Sequence, residues 1–227
     1  MKHSLELAAN KLAKGRIRAF VSRVAWLDLE KLVSTAFNEI SQNHEHANEL
    51  GNLYLTKNRD YPPFNQPHLN AFNITNQIQV HAGWRQLNIC HAITENGNTR
   101  AEALAESGAT LWFSQDVTGS VMAFISPYKS KAMSVNEENI ILARYSCASS
   151  VSKRDIERHF ATYFRYCSVT SAHGSQGLSG YFYRLRLKYN DFRYANQMRA
   201  NVFHYIEPSL AIIGIIATLY AGNKLFN

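Results

Sequence analysis

The stretch "IQVHAGWRQLNICHAI", Ile78–Ile93, decides how the middle of this chain is read. Ile78, Val80, Ala82 and Trp84 are apolar, and Gln79, His81, Gly83 and Arg85 fall between them. That is the period of two expected of a half-buried strand. After Gln86 the phase changes, and Leu87, Ile89 and Ile93 carry the apolar face, so a bulge or bend is expected near Arg85–Gln86. A polar turn follows around Gly97. "ATLWFSQDVTGSVMAFISP" then reads as two strands joined across "DVTGS", and "NIILARYSCAS" from Asn139 as a last strand.

Helices flank this β-rich middle. From Ser4 to Asn48 no proline intervenes, and Leu5, Ala8, Leu12, Ile17, Phe20, Val24, Leu27, Leu32, Ala36 and Ile40 recur at helical spacing. These residues predict a helix with that stripe inward, with Gly15 separating a short helix from a longer one. Leu53 to Ala71 reads as loop, broken by Pro62, Pro63 and Pro67. Downstream, Ser152 and Asp155 form an S-x-x-D capping box ahead of Ile156, Phe160, Tyr163 and Phe164. Tyr181–Asn190 fits strand and helix alike. The absence of Gly and Pro up to Glu207 favours one long helix running into the tail.

The expected architecture is α+β. It comprises N-terminal helices (residues 1–50) and a small antiparallel sheet or partial barrel (51–150). A basic helical segment (151–207) and one transmembrane helix (208–223) complete it.

The tail carries the strongest functional expectation. "PSLAIIGIIATLYAG", Pro208–Gly222, holds no charged side chain and is apolar on every side of a helix. Such a rod needs protein or lipid around it, and a chain of 227 residues has little protein to spare. The residues between Glu207 and Lys224 would span roughly 24 Å at the helical rise, and extension back through Ala200–Ile206 lengthens them toward the roughly 30 Å of hydrocarbon. Arg184, Arg186, Lys188, Arg193 and Arg199 precede the run, against Asp191 alone in that stretch, and only Lys224 follows it. The positive-inside rule then puts the N-terminal part in the cytosol. Those five basic residues are expected to meet anionic head groups at about 1 kcal/mol each. Gly214, Thr218 and Gly222 recur every four residues, a spacing that lets spans pack as a homo-oligomer.

Composition agrees. A formal net charge of +7 favours phosphate partners, and three scattered cysteines with no CxxC fit a reducing compartment. Met1–Leu12 contains Glu6 and Lys11 and lacks the apolar core of a signal peptide.

Catalytic motifs for nucleotide, serine-hydrolase and zinc chemistry are missing from the sequence. His44 and His46 point to different sides of a helix. His81 and His91, with Cys90 adjacent, could approach across a hairpin but lack a third ligand. His173 lies two residues from Ser175 in "SAHGSQG" without an acid partner. No cofactor or metal is therefore expected. Tyr181–Arg193 has the basic and aromatic content of a nucleic-acid surface, which its closeness to the tail explains with fewer assumptions.

The leading expectation is a tail-anchored membrane protein whose cytosolic α+β domain binds a partner protein or small ligand. A sharper version is an effector that perturbs the bilayer when its tails cluster. A membrane-held enzyme using His173 or His81, and a nucleic-acid binder with a buried tail, are the alternatives.

Overall fold

The computed structural model describes residues 2–42, 44–58, 76–95, 98–130, 137–174 and 177–194. The Pro-rich segment around residues 62–67, the turn at Gly97 and the tail lie outside them. The chain divides into two units, Met1–Arg184 and Leu185–Asn227.

Helix α1 (Lys2–Ser41) is unbroken for 40 residues. Its Ala, Leu, Lys, Arg and Glu content suits a helix, and the roughly 1 kcal/mol cost of Gly15 is absorbed without a break. Of the expected stripe only its C-terminal part turns inward, with Ala36 buried and Ile40 half-buried. Ser22, Trp26, Leu29, Val33 and Ala36 are buried, at steps of four, three, four and three. The expected core residues Ile17, Phe20 and Val24 are 65%, 68% and 57% exposed. A short helix α2 (His44–Glu49) follows.

Among the described residues, eight strands make two antiparallel sheets. The larger orders β1 (Leu53–Lys57), β2 (Gln77–Ala82), β5 (Thr110–Gln115), β6 (Val121–Ser126) and β8 (Ile140–Tyr145), with β1 and β8 at its edges. Period-two alternation sets the faces. Ile78, Val80, Leu111, Phe113, Ala123 and Ile125 are buried, and register pairs Val80 with Leu111 and Leu111 with Ile125. On the other face Trp112 and Phe124 are cross-strand partners stacked 5.0 Å apart. The smaller sheet orders β3 (Arg85–Glu95), β4 (Asn98–Ser107) and β7 (Lys129–Ser130). The expected irregularity is present, as a register shift between Gln86 and Cys90. Leu53–Lys57, expected as loop, is a strand paired with β2.

Helix α3 (Lys153–Thr170) opens with the expected capping box. The Asp155 amide donates to Ser152 Oγ at 3.2 Å and the Ser152 amide to Asp155 Oδ2 at 3.1 Å. Its buried residues include Ile156, His159, Phe160 and Tyr163. The Tyr163 hydroxyl donates to the Ala109 carbonyl at 3.0 Å, tying the helix to the start of β5. Tyr181–Asn190 is helical, within α4 (Leu178–Asn190), which resolves the ambiguity in favour of helix. The single long helix into the tail is corrected at Asp191. There the carboxylate accepts the Arg193 amide at 2.9 Å and bends the chain, a local side-chain bond that competes with helix propagation.

One polar network fixes α1. The Ser22 hydroxyl donates to the Gly119 carbonyl and accepts the Ala148 amide at 3.0 Å. The Gln115 amide nitrogen lies 3.0 Å from both the carbonyl and the hydroxyl of Ser22, and its oxygen accepts Asn76 Nδ2 at 2.8 Å. Farther along, buried Glu30 pairs with Lys57 Nζ at 3.1 Å, joining α1 to β1.

Gly119 has φ +85°, and a Cβ there would stand 2.8 Å from the Ser22 Cβ; Gly108 has φ +86° with open space around it. Both glycines to alanine should cost about 1–2 kcal/mol for left-handed backbone. Gly119→Ala should cost about 1–3 kcal/mol more, because α1 must shift. Urea midpoints of the two variants check this, and equal losses would mean that α1 does not press on the β5–β6 turn.

Candidate functional site

The end of α1, helix α2, the start of β1 and one side of α3 enclose an open cleft of about 540 Å³. Ile40, Ala47, Leu50, Leu53 and Phe164 supply its apolar lining, and Glu39, His46 and Glu49 its polar groups. All five apolar residues are half-buried, as walls of an accessible groove should be. Two bonds brace the corner between α2 and β1. Arg85 Nη1 donates to the Glu49 carbonyl at 3.0 Å, and the buried Tyr128 hydroxyl donates to the Leu50 carbonyl at 2.9 Å. Lys153 Nζ lies 3.8 Å from Glu39 across the α1–α3 side. The volume falls in the range of small-molecule sites, and a mostly apolar wall with a few polar groups is their usual make-up. Two carboxylates beside an imidazole favour an apolar group carrying a cationic or hydrogen-bond-donating head. His46, which the sequence places on a different side of the helix from His44, is part of this lining.

A second polar cluster holds the smaller sheet to the end of α3. Glu106 is buried on β4 and accepts Ser171 Oγ and the Ala172 amide, each at 2.7 Å. Arg85 Nε lies 3.4 Å from the same carboxylate, and Arg85 Nη2 lies 2.9 Å from His173 Nδ1. Arginine only donates, so Nδ1 accepts here and the His173 proton is inferred to sit on Nε2. A buried carboxylate needs this many partners. The Ser171 hydroxyl donates to that carboxylate and ties the end of α3 to β4. Ser175, the other half of the sequence pairing, lies outside the described residues.

His81 and His91 do not meet across a hairpin. His81 lies on β2 of the larger sheet, stacked on Tyr54 at 5.6 Å, with burial lowering its pKa. His91 and Cys90 are exposed on β3 of the smaller sheet, where Glu102 stands opposite His91 in register. Among the described residues no group of three or more His, Cys, Asp or Glu side chains could hold a metal ion.

The basic residues ahead of the tail have several roles. Arg184 pairs with Glu137 at 3.1 Å, and Glu137 also accepts the Tyr166 hydroxyl at 3.0 Å. Arg186 is exposed and Lys188 half-buried on α4, and Arg193 pairs with Asp191 at 2.8 Å. Arg199, Gly214, Thr218 and Gly222 lie outside the described residues. Among the described residues, no helix is long and apolar enough to cross a membrane.

Sequence reasoning missed His159. It lies one helical turn beyond the capping Asp155, on the apolar face of α3 between Ile156 and Phe160, and that position was its only signal. Its Nε2 is 2.7 Å from the Tyr145 hydroxyl, and the Phe113 ring meets it edge-on at 5.7 Å. Burial lowers its pKa to about 4, against a smaller upward pull from Asp155, and burial raises Tyr145 to about 12.

The folded protein therefore prefers neutral His159. Its contribution is present above the unfolded pKa of about 6.5 and is lost as pH falls toward about 4, where the folded state also takes the proton. The contribution is at most on the order of 3 kcal/mol. His159→Gln keeps an acceptor for Tyr145 and removes the titration. Its stability, followed by urea unfolding from pH 7 to pH 4, should fall less than that of the parent chain; parallel curves would rule His159 out as the source.

No protein family, curated protein or solved structure matches this chain.

Proposed function

We propose that this is a tail-anchored membrane protein whose α+β domain binds an apolar ligand or partner segment beside the bilayer. The observation that carries the proposal is the charge-free run Pro208–Gly222 in a chain of net charge +7. No charge interrupts it, such a run needs lipid or protein around it, and a chain of 227 residues has little protein to spare. The cleft between α1, α2 and α3 supports the binding role, because it is the right size and mostly apolar. Arg186 and Arg199 would meet anionic head groups under this proposal. Clustering of the tails through Gly214, Thr218 and Gly222, with perturbation of the bilayer, is part of it and falls with it.

Alkaline carbonate extraction tests the anchor. The full chain should stay in the membrane pellet, and a chain ending at Glu207 should be released. Release of both sinks the proposal and favours a tail packed inside the protein. The cleft is tested separately with a small neutral apolar diazirine. Photolabelling should concentrate on the peptides holding Leu50, Leu53 and Phe164, and should fall several-fold in Ala47→Trp, which fills the groove. Labelling unchanged by that substitution would mean that the groove does not bind such groups.

A further inference from the structure

The outward face of α1 is apolar without a partner inside the described protein. Ile17, Phe20, Val21, Val24 and Leu27 recur at steps of three, one, three and three, and each is more than half exposed. They lie away from the face of Ser22, Trp26 and Leu29, which is buried. Val117, at the tip of the β5–β6 turn and 81% exposed, borders the same region beside Phe20 and Arg23, and Arg23 Nη2 lies 3.5 Å from its carbonyl.

Charge identifies the occupant. Between Lys2 and Arg23 the helix carries Lys2, Lys11, Lys14, Arg16, Arg18 and Arg23 against Glu6 alone. All but Lys2, whose side chain lies outside the described residues, are exposed. A second copy seated on this stripe would set Lys14, Arg16 and Arg23 close to their like-charged counterparts, the arrangement that coiled-coil seams avoid. An anionic bilayer surface meets both features. Apolar side chains enter the acyl boundary while basic side chains at the margins reach the head groups.

We propose that α1 lies in the plane of an anionic membrane surface, with Ile17, Phe20, Val21 and Val24 in the lipid and Arg16 and Arg23 on head-group phosphate. This contact is separate from the proposed span and shares only the bilayer with it.

The test uses the full chain reconstituted into phosphatidylcholine vesicles with or without phosphatidylserine. Cys90→Ser and Cys147→Ser remove the two accessible thiols; Cys167 is buried. An environment-sensitive fluorophore is attached at Val24→Cys, and in a second protein at Arg144→Cys on β8 as an exposed control. The emission at position 24 should shift to the blue only in vesicles holding phosphatidylserine, and that at position 144 should stay aqueous. Ile17→Glu with Phe20→Glu should abolish the shift and leave the urea midpoint unchanged, since both side chains are exposed. An aqueous label at position 24 in a chain that carbonate still leaves in the pellet overturns this inference and spares the anchor. A phosphatidylserine-dependent shift in a chain that carbonate releases supports it and removes the anchor. An equal shift in both kinds of vesicle overturns it, because the face is then covered by neutral lipid or by a second copy.

Discussion

The Ser22 hydroxyl is the point through which the first unit is assembled. It joins α1, the β5–β6 turn and the short turn at Ala148–Ser150, and Gln115 closes the network from inside the sheet. Buried polar groups are costly when unpaired, at about 1–3 kcal/mol each. A network that satisfies several together therefore admits only one rotation of α1 about its axis. With Ser22 inward, Trp26, Leu29, Val33 and Ala36 follow into the core at helical spacing. Ile17, Phe20 and Val24 must then face out. The exposed stripe is a consequence of where the hydroxyl is needed.

The distant partners of Ser22 also made that face illegible in the sequence. α1 offers two apolar stripes, and the one with more aliphatic residues is exposed. Periodicity establishes the helix but cannot choose between faces when the deciding residue is a serine whose partners lie 97 and 126 positions away. The strands β2, β5, β6 and β8 were legible, because one face is buried and alternation follows from the pleat. The capping box was legible because its partners are three residues apart. β4 was not: in "NTRAEALAES" alanines alternate with Arg100, Glu102 and Glu106, and only Leu104 and Glu106 are buried. β1 sits at an edge, with no residue fully buried. The helix break at Asp191 depends on a carboxylate turning back to its own backbone, which no breaker residue announces.

The candidate cleft was illegible for a different reason. Its lining comes from residues 39–40, 46–53 and 164, and no local pattern links the last to the others. What the sequence did show was each part in isolation: a helix end, a short polar stretch, and an aromatic on a capped helix. The bonds that hold the parts together, Arg85 to the Glu49 carbonyl and Tyr128 to the Leu50 carbonyl, come from the smaller sheet and from the loop after β6. Arg85 also reaches Glu106 and His173, so the cleft wall and the buried carboxylate share one guanidinium. Loss of that side chain would leave Glu106 with fewer partners and loosen α2 together with it. The same guanidinium gives His173 a structural partner.

An amphipathic helix alone holds a lipid surface weakly, whereas a spanning tail would hold the bilayer effectively irreversibly. Joined in one chain, the second contact becomes intramolecular, and its effective concentration is set by the chain between them, with no new contact required. A tail span would confer the standing attachment. If the helix also binds through Arg16, Arg23 and their neighbours as proposed, it would respond to the charge of the leaflet, because that part of the attraction is screened by salt and scales with anionic lipid. Glu39 and Ile40, at the far end of the same helix, line one side of the cleft. A helix of 40 residues laid on or lifted from a surface would carry that wall with it, so lipid bound along residues 17–24 and an occupant of the cleft would act on one element.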